Sequence, residues 1–468
     1  MSTGLFGTLG MAARSLQTQQ AGIAVTGHNL ANVNNPAYAR QRLNIATTDP
    51  VQSPIGPLGT GAQALAIQQI RHALVDRQVV VETGLTAYWE AHQLALEFAQ
   101  AGLGQTVQRV GNADASTMTG LAEGLAELFR AFQSLSLQPS SLAERQVLML
   151  KAGTLASQFN QIAARLRTAS QMQNETLQAD VRVANQLLSD IAQLNDEIVV
   201  MELNSGAAAN DLRDLRQQKL EELGRYVDFT SVPQNNGAIN IVVDGVLMVS
   251  DRTRVDSLEV YDAGGGQLLV RAATAGTPLN LRAGSLAGVI AVRDGALAQL
   301  RVNLDLLAAT LIQEVNAIHS TGFGLNGTTG AAFFIGTDAA SIAVNSVLVT
   351  DPARVQASNA PGEPGNNAVV LQLAQLAQQR HAALGNQTFA ESFHRIVTML
   401  GQELVTATNR VRDQQLISEM LRQQRASISG VSLDEEMVAL TAYQRAYQAS
   451  ARLMTVIDEL LEDLVRVR

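Results

Sequence analysis

The placement of ten prolines constrains this chain more than any other feature. Pro36, Pro50, Pro54 and Pro57 crowd near the start. None occurs from 58 to 138, Pro139 alone interrupts the run to 232, and none follows Pro364. A proline inside a helix removes a backbone donor and clashes with the preceding turn, so long helices belong in the proline-poor tracts. Those tracts are rich in Ala, Leu and Gln, all good helix formers. The early proline cluster reads as a linker or loop.

Apolar spacing fills in the elements. Leu9, Leu16, Ile23 and Leu30 recur every seven residues and predict one stripe along an N-terminal helix, which ends where Asn32, Asn34, Asn35 and Pro36 accumulate. Residues 37–61 read as extended or irregular, and 62–206 as several helices. Two rows, Leu177, Ala184, Ile191 and Ile198 with Leu187, Leu194 and Met201, predict a coiled-coil seam over 172–204. A further helix runs from Leu212 to Leu223. From 226 to 281 the period falls to two, with Asn235-Asn236-Gly237 and Asp244-Gly245 as turns, which predicts a small β domain. Helix resumes at 284–319, weaker strands follow near 333–349, and 388–427 is helical again.

The last element is set off by Ile428-Ser429-Gly430-Val431. Ser432-Leu433-Asp434-Glu435 fits a capping box. Leu433, Leu440, Tyr447, Met454 and Leu461 then form a heptad row flanked by Tyr443 and Ile457. The fold class is therefore mainly α with an inserted β domain. Its expected parts are paired terminal coiled-coil-like helices (1–45 plus 429–468), a helical bundle (62–225, 284–320 and 366–428), a β domain (226–283), and a loop with weaker strands (321–365). Residues 1–48 carry three arginines and no acid, whereas 429–468 carry seven acids and four arginines, so the charges favour pairing of the two ends. Outside an assembly these ends are expected to be mobile.

Composition removes several function classes. The net charge of −9 argues against bulk nucleic-acid binding. Zero cysteines exclude disulfides, thiolate catalysis and Cys-ligated metals. The start lacks the basic and apolar regions of a secretory signal, and no uninterrupted apolar stretch approaches membrane length. Taken alone, these features suggest a cytoplasmic protein. No metal, cofactor or catalytic constellation is expected among His28, His72, His92, His319, His381 and His394. Gly322–Gly327 matches G-x-G-x-x-G, but it follows a helix rather than a strand, which favours a helix cap and turn over a nucleotide site. Asp434-Glu435-Glu436 reads as helix-dipole complementation. Tyr443 and Tyr447, one turn apart, read as part of a packing stripe.

The segment Asn29-Leu30-Ala31-Asn32-Val33-Asn34-Asn35-Pro36-Ala37-Tyr38-Ala39-Arg40-Gln41 resembles the N-terminal signature of bacterial flagellar axial proteins, with Asn35 for the usual Thr and Ala37 for the usual Gly. Ala at 37 disfavours a positive-φ turn there. Ser429–Glu436 and Tyr443–Ala449 resemble the C-terminal signature of the same family. Tyr38–Gln41 and Asn316–Gly327 are similar to the hook-associated protein 1 branch, at the hook–filament junction.

The resemblance implies a structural, non-enzymatic subunit that joins hook to filament for flagellum assembly and motility. It implies export through the flagellar type III route without a cleaved signal, which reverses the cytoplasmic expectation. It implies self-association, contact with hook protein and hook-associated protein 3, and a cytoplasmic export chaperone on the C-terminal helix. The expected assembly residues are Leu9, Leu16, Ile23, Leu30, Asn32, Pro36, Tyr38, Leu433, Leu440, Tyr443, Tyr447, Met454 and Leu461. A rod or hook subunit of the same family is the alternative, and a nucleotide-binding enzyme using Gly322–Gly327 a remote one.

Overall fold

In the computed structural model, which describes residues 4–53, 56–103 and 120–466, helices occupy most of the described part of the proline-poor tracts. α1 (Leu5–Ala31) leads into β1 (Gln41–Thr47), β2 (Val51–Ser53), β3 (Gly56–Leu58) and β4 (Ala62–Gln69). β1 pairs with β4 and β2 with β3, both antiparallel, so the linker is a folded ribbon lying on α1. Residues 62–69, expected to open the helical stretch, are a strand, because β1 supplies the ladder that local propensity does not reveal. Pro54 and residues 104–119 of the expected linker and helical stretch lie outside the described residues.

Next come α2 (Ala73–Gly102), α3 (Leu121–Leu137), α4 (Leu142–Ser205) and α5 (Asn210–Gly224). α4 runs unbroken for 64 residues from an Ser141 cap to Gly206, whose φ of 65° ends it in the left-handed conformation. Six strands follow: β5 (Thr230–Pro233), β6 (Ile239–Val243), β7 (Val246–Ser250), β8 (Thr253–Arg254), β9 (Leu258–Asp262) and β10 (Leu268–Ala272). β5 to β8 form one antiparallel sheet in chain order, and β9 and β10 form a hairpin. α6 (Gly284–Val292) and α7 (Ala298–His319) are joined by a π turn, Arg293–Leu297. The weak-strand region contains β11 (Phe334–Ile335), β12 (Ala343–Val344) and α8 (Ser346–Thr350). α9 (Ala368–Gln375), α10 (Phe389–Ser429) and α11 (Leu433–Arg466) complete the chain.

Two cores share α4 as a spine. One gathers Leu148, Leu155 and Phe159 of α4 with Phe132 of α3, Leu304, Leu307 and Leu311 of α7, and Phe393 of α10. The other gathers Leu177, Ala184, Leu188 and Ile191 of α4 with Ile241, Val243 and Val249 of the sheet and Leu223 of α5. The heptad rows over 172–204 thus bury against a sheet and a short helix rather than forming a coiled-coil seam, and Met201 is exposed. A stripe records that a helix is covered; it does not record by what. At the border of the two cores the π turn places Arg293 against Asp294, Asn174 Oδ1 (2.6 Å) and the Leu268 carbonyl (2.7 Å). The run Gly284–His319 is long and apolar enough to cross a membrane, but Leu297, Leu300, Leu304, Leu307 and Leu311 are buried in the first core.

His319, wholly buried, ties α7 to the segment after it. A carbonyl can only accept and an amide can only donate. The 2.8 Å contact to the Ala331 oxygen therefore puts the proton on Nδ1, and the 3.0 Å contact from the Gln356 amide makes Nε2 the acceptor. Burial drives this imidazole down to about 4; the nearby Arg145 adds to the effect, while the Ala331 carbonyl opposes it. The unfolded chain binds a proton near 6.5 and the folded chain only near 4, so His319 penalises folding increasingly as pH falls through that window. Thermal unfolding followed from pH 7 to 4 should show a falling melting temperature, and His319→Gln should reduce that slope.

Candidate assembly surface: the paired terminal helices

α1 and α11 pack antiparallel along their lengths within one chain, so the ends expected to be mobile are each other's partner. The leucine row of α1 is not its most buried side. Leu9, Leu16, Ile23 and Leu30 are all half-buried, while Ala12, Gly22, Thr26 and Asn29 are buried. On α11 the covered side runs through Glu436, Leu440, Tyr443, Ser450, Met454, Ile457 and Leu461. Leu433 and Tyr447 fall outside it at 53% and 39% exposed. The tyrosine pair is therefore split, with Tyr443 in the seam and Tyr447 on its rim.

Three contacts recur at seven-residue steps. Ser15 and Ser450 share a 2.9 Å hydroxyl hydrogen bond. The Tyr443 ring lies over Gly22, where a Cβ would come within 2.6 Å of it. Asn29 donates to Glu436 Oε2 at 3.0 Å. Asn29 is fully used: it also donates to the Gln41 carbonyl (2.9 Å) and accepts from the Gln41 amide (3.0 Å) and the Tyr38 hydroxyl (2.7 Å). Glu436 is only 2% exposed and takes a second partner in Arg40 Nε at 2.7 Å. Arg40 Nη1 reaches Glu435 at 2.7 Å. Glu435 thus pairs with the loop that precedes β1, while a complete capping box occurs at Thr388 and Glu391 at the start of α10.

The loop from 32 to 40 is pinned to the body by charge. The Ala37 carbonyl accepts from Arg71, the Ala39 amide donates to Asp214 Oδ2 (3.2 Å), and the exposed Pro36 offers its carbonyl to Arg425 (3.4 Å). Arg71 spans Asp76 (3.0 Å) and Asp214 (2.5 Å). Burial works against its charge, but Asp214 and Asp76 more than restore it, raising its pKa. Burial holds the Tyr38 hydroxyl protonated well above its ordinary range, with Asp211, Asp214 and Glu436 adding to the effect. Asn32 caps α1 by donating to the His28 carbonyl (3.0 Å). Ala37 is not among the positive-φ residues, so this loop does not use the glycine conformation.

Sequence reasoning missed Gly22, Asn29, Arg40 and Glu436 as members of one site. Ser15, Gly22 and Asn29 are themselves seven apart, and a glycine inside a long helix invites a packing reason. A search for apolar rows passes over such a series.

The Gly322–Gly327 loop has its amides committed. Phe323, Gly324, Leu325 and Gly327 donate to the carbonyls of Ser358, Thr328, Ala353 and Gly324. A phosphate cradle needs such amides free. Gly324 is required by packing, since a Cβ there would lie 2.8 Å from the Ala353 oxygen.

Comparison with known proteins agrees with this layout. Residues 107–334 match the family model described as the flagellar hook-associated protein FlgK helical domain, and residues 422–467 match the flagellar basal body rod FlgEFG protein C-terminal model. Flagellar hook-associated protein 1 of Bacillus subtilis (strain 168) is 25% identical over 512 aligned residues, covering 99% of this chain and 98% of that protein. The protein of the same name from Escherichia coli (strain K12) is 24% identical, with 98% and 99% covered. The solved structure of the flagellar hook junction protein FlgK from Burkholderia pseudomallei shares the fold at a TM-score of 0.63 and 14% identity, covering 75% of this chain and all of that one. A helical interior of one kind, terminal signatures of another and end-to-end similarity converge: the chain is similar over nearly its whole length to flagellar hook-associated protein 1.

Proposed function

We propose that this chain is a structural subunit of the bacterial flagellum at the junction of hook and filament, acting mechanically rather than catalytically. The observation that carries the reading is the terminal pair. α1 and α11 form one antiparallel unit, yet Leu9, Leu16, Ile23 and Leu30 stay half-covered, and Leu453, Val456 and Leu460 stay exposed on α11. Apolar rows left open on a paired helix invite packing by neighbouring copies. On this reading the terminal pairs line the inner tube, the α4-centred body surrounds them, and the β domain faces outward. Hook protein and hook-associated protein 3 are the neighbours along the axis. A cytoplasmic chaperone holds α11 before export, and the chain leaves uncleaved through the flagellar type III channel. The rod or hook alternative shares the terminal signatures but is not favoured by the match of residues 107–334 to the FlgK helical-domain model.

Leu440→Asp tests this reading. It puts a carboxylate one turn from the buried Glu436 and beside Tyr443, so it should prevent incorporation and leave the body's melting transition unchanged. Cells should make hooks, release filament protein into the medium and swim poorly. Wild-type swimming would refute the seam. A pull-down with the chaperone separates an assembly defect from an export defect.

A further inference from the structure

We propose that the register of α1 against α11 is chosen by a ladder of small and polar residues rather than by the apolar rows. Apolar rows repeating every seven residues are degenerate: sliding one helix by seven returns leucine to leucine and costs little. The leucine row of α1 has this property, since Leu9, Leu16, Ile23 and Leu30 are interchangeable under such a slide.

The ladder is not degenerate. In register, Ser15 meets Ser450, Gly22 receives the Tyr443 ring, and Asn29 meets Glu436, each step of seven along α1 matched by seven along α11. Slide α11 one way and Glu436 is buried against Gly22 without Asn29 or Arg40, while the Tyr443 ring collides with Ser15. Slide it the other way and the ring meets Asn29, whose four hydrogen bonds to Glu436, Tyr38 and Gln41 must break. A buried carboxylate without partners is a heavy penalty, and one polar group in a helical seam is known to select register at some cost in stability. Gly22 provides the steric half of the code and the Asn29–Glu436–Arg40 cluster the polar half.

The rival account is that the covalent connections set the register, because the Arg40 amide is also bonded to the Ser429 carbonyl (2.8 Å) between the two helices and the body. The chain's lack of cysteine makes cross-linking a clean discriminator. In the full chain, Ser15→Cys with Ser450→Cys reports the native register, and Thr8→Cys with Ser450→Cys reports a slip of seven. Under mild oxidation the first pair should form an intramolecular disulfide and the second almost none. Each pair is then placed in a chain carrying Asn29→Leu, Glu436→Leu, Gly22→Leu and Tyr443→Leu together. The slipped cross-link should rise by about tenfold or more relative to the natural seam. An unchanged yield of the native cross-link, with the slipped pair still silent, would assign register to the connections and overturn the proposal. Loss of both cross-links would mean that the ladder supplies the pairing itself rather than its choice of register, which equally overturns it.

Discussion

Replacing Gly22 by leucine should abolish incorporation at the junction while the body continues to melt as before. The Tyr443 ring occupies the space that the first side-chain carbon would need, with three ring atoms within 2.8 Å of it. A single added methyl could be met by a shift of the ring. A leucine cannot, so Tyr443 must leave the seam or the helices must part. Overpacking of this kind costs about 1–3 kcal/mol, and displacement of a large aromatic adds the loss of its burial. The cost falls on the terminal pair because neither Gly22 nor Tyr443 belongs to the two interior cores. Electron microscopy should find hooks without filaments, and calorimetry should find the interior transition in place. The double variant Gly22→Leu with Tyr443→Ala moves the bulk from one helix to the other and should recover much of the assembly. Normal filaments in the single variant would show that the ring does not need its seat.

Arg145→Met should do the opposite, weakening the body and sparing the terminal pair. Arg145 is 1% exposed in the first core and pairs with carbonyl oxygens rather than a carboxylate: Nε and Nη2 donate to Pro139 (3.2 and 2.6 Å) and Nη1 to Val355. Burial lowers its pKa to about 10, which leaves it charged at neutral pH. Methionine fills much of the space but donates nothing, so two buried carbonyls lose their partners at about 1–3 kcal/mol each. The melting temperature of the body should fall by roughly 5 °C or more. A second readout is specific. Arg145 is one of the influences that hold down the pKa of His319, after burial itself, so its loss should also flatten stability between pH 6.5 and 4. Unchanged melting at pH 7 would mean that water satisfies both carbonyls.

Paired with Gly22→Leu, this variant separates two kinds of stability in one chain. The body rests on apolar burial along α4. The joint to the terminal pair rests on Arg71, Arg425 and Arg40 facing Asp214, Asp76, Glu221 and Glu436.

The sequence by itself marked the tracts that hold the long helices, because these tracts are poor in proline and carry seven-residue rows that mark a covered side. It determined the β insertion, because the period changes at 226 and Asp244-Gly245 forms the tight turn, both residues at positive φ. The signatures at the two ends also pointed to the family before any contact was known. Only the tertiary structure decided what covers each row. The stripe at 172–204 met a sheet, residues 62–69 found a strand partner in β1, and the most buried side of the terminal seam on α1 ran through Gly22 and Asn29, the latter facing Glu436, rather than through the leucine row. Periodicity reports that one side of an element is hidden. The identity of the hidden contact depends on shape and hydrogen bonding between residues hundreds of positions apart, such as a ring fitting over a glycine and a carboxylate buried between Asn29 and Arg40, and neither is encoded in the spacing of apolar residues along one helix.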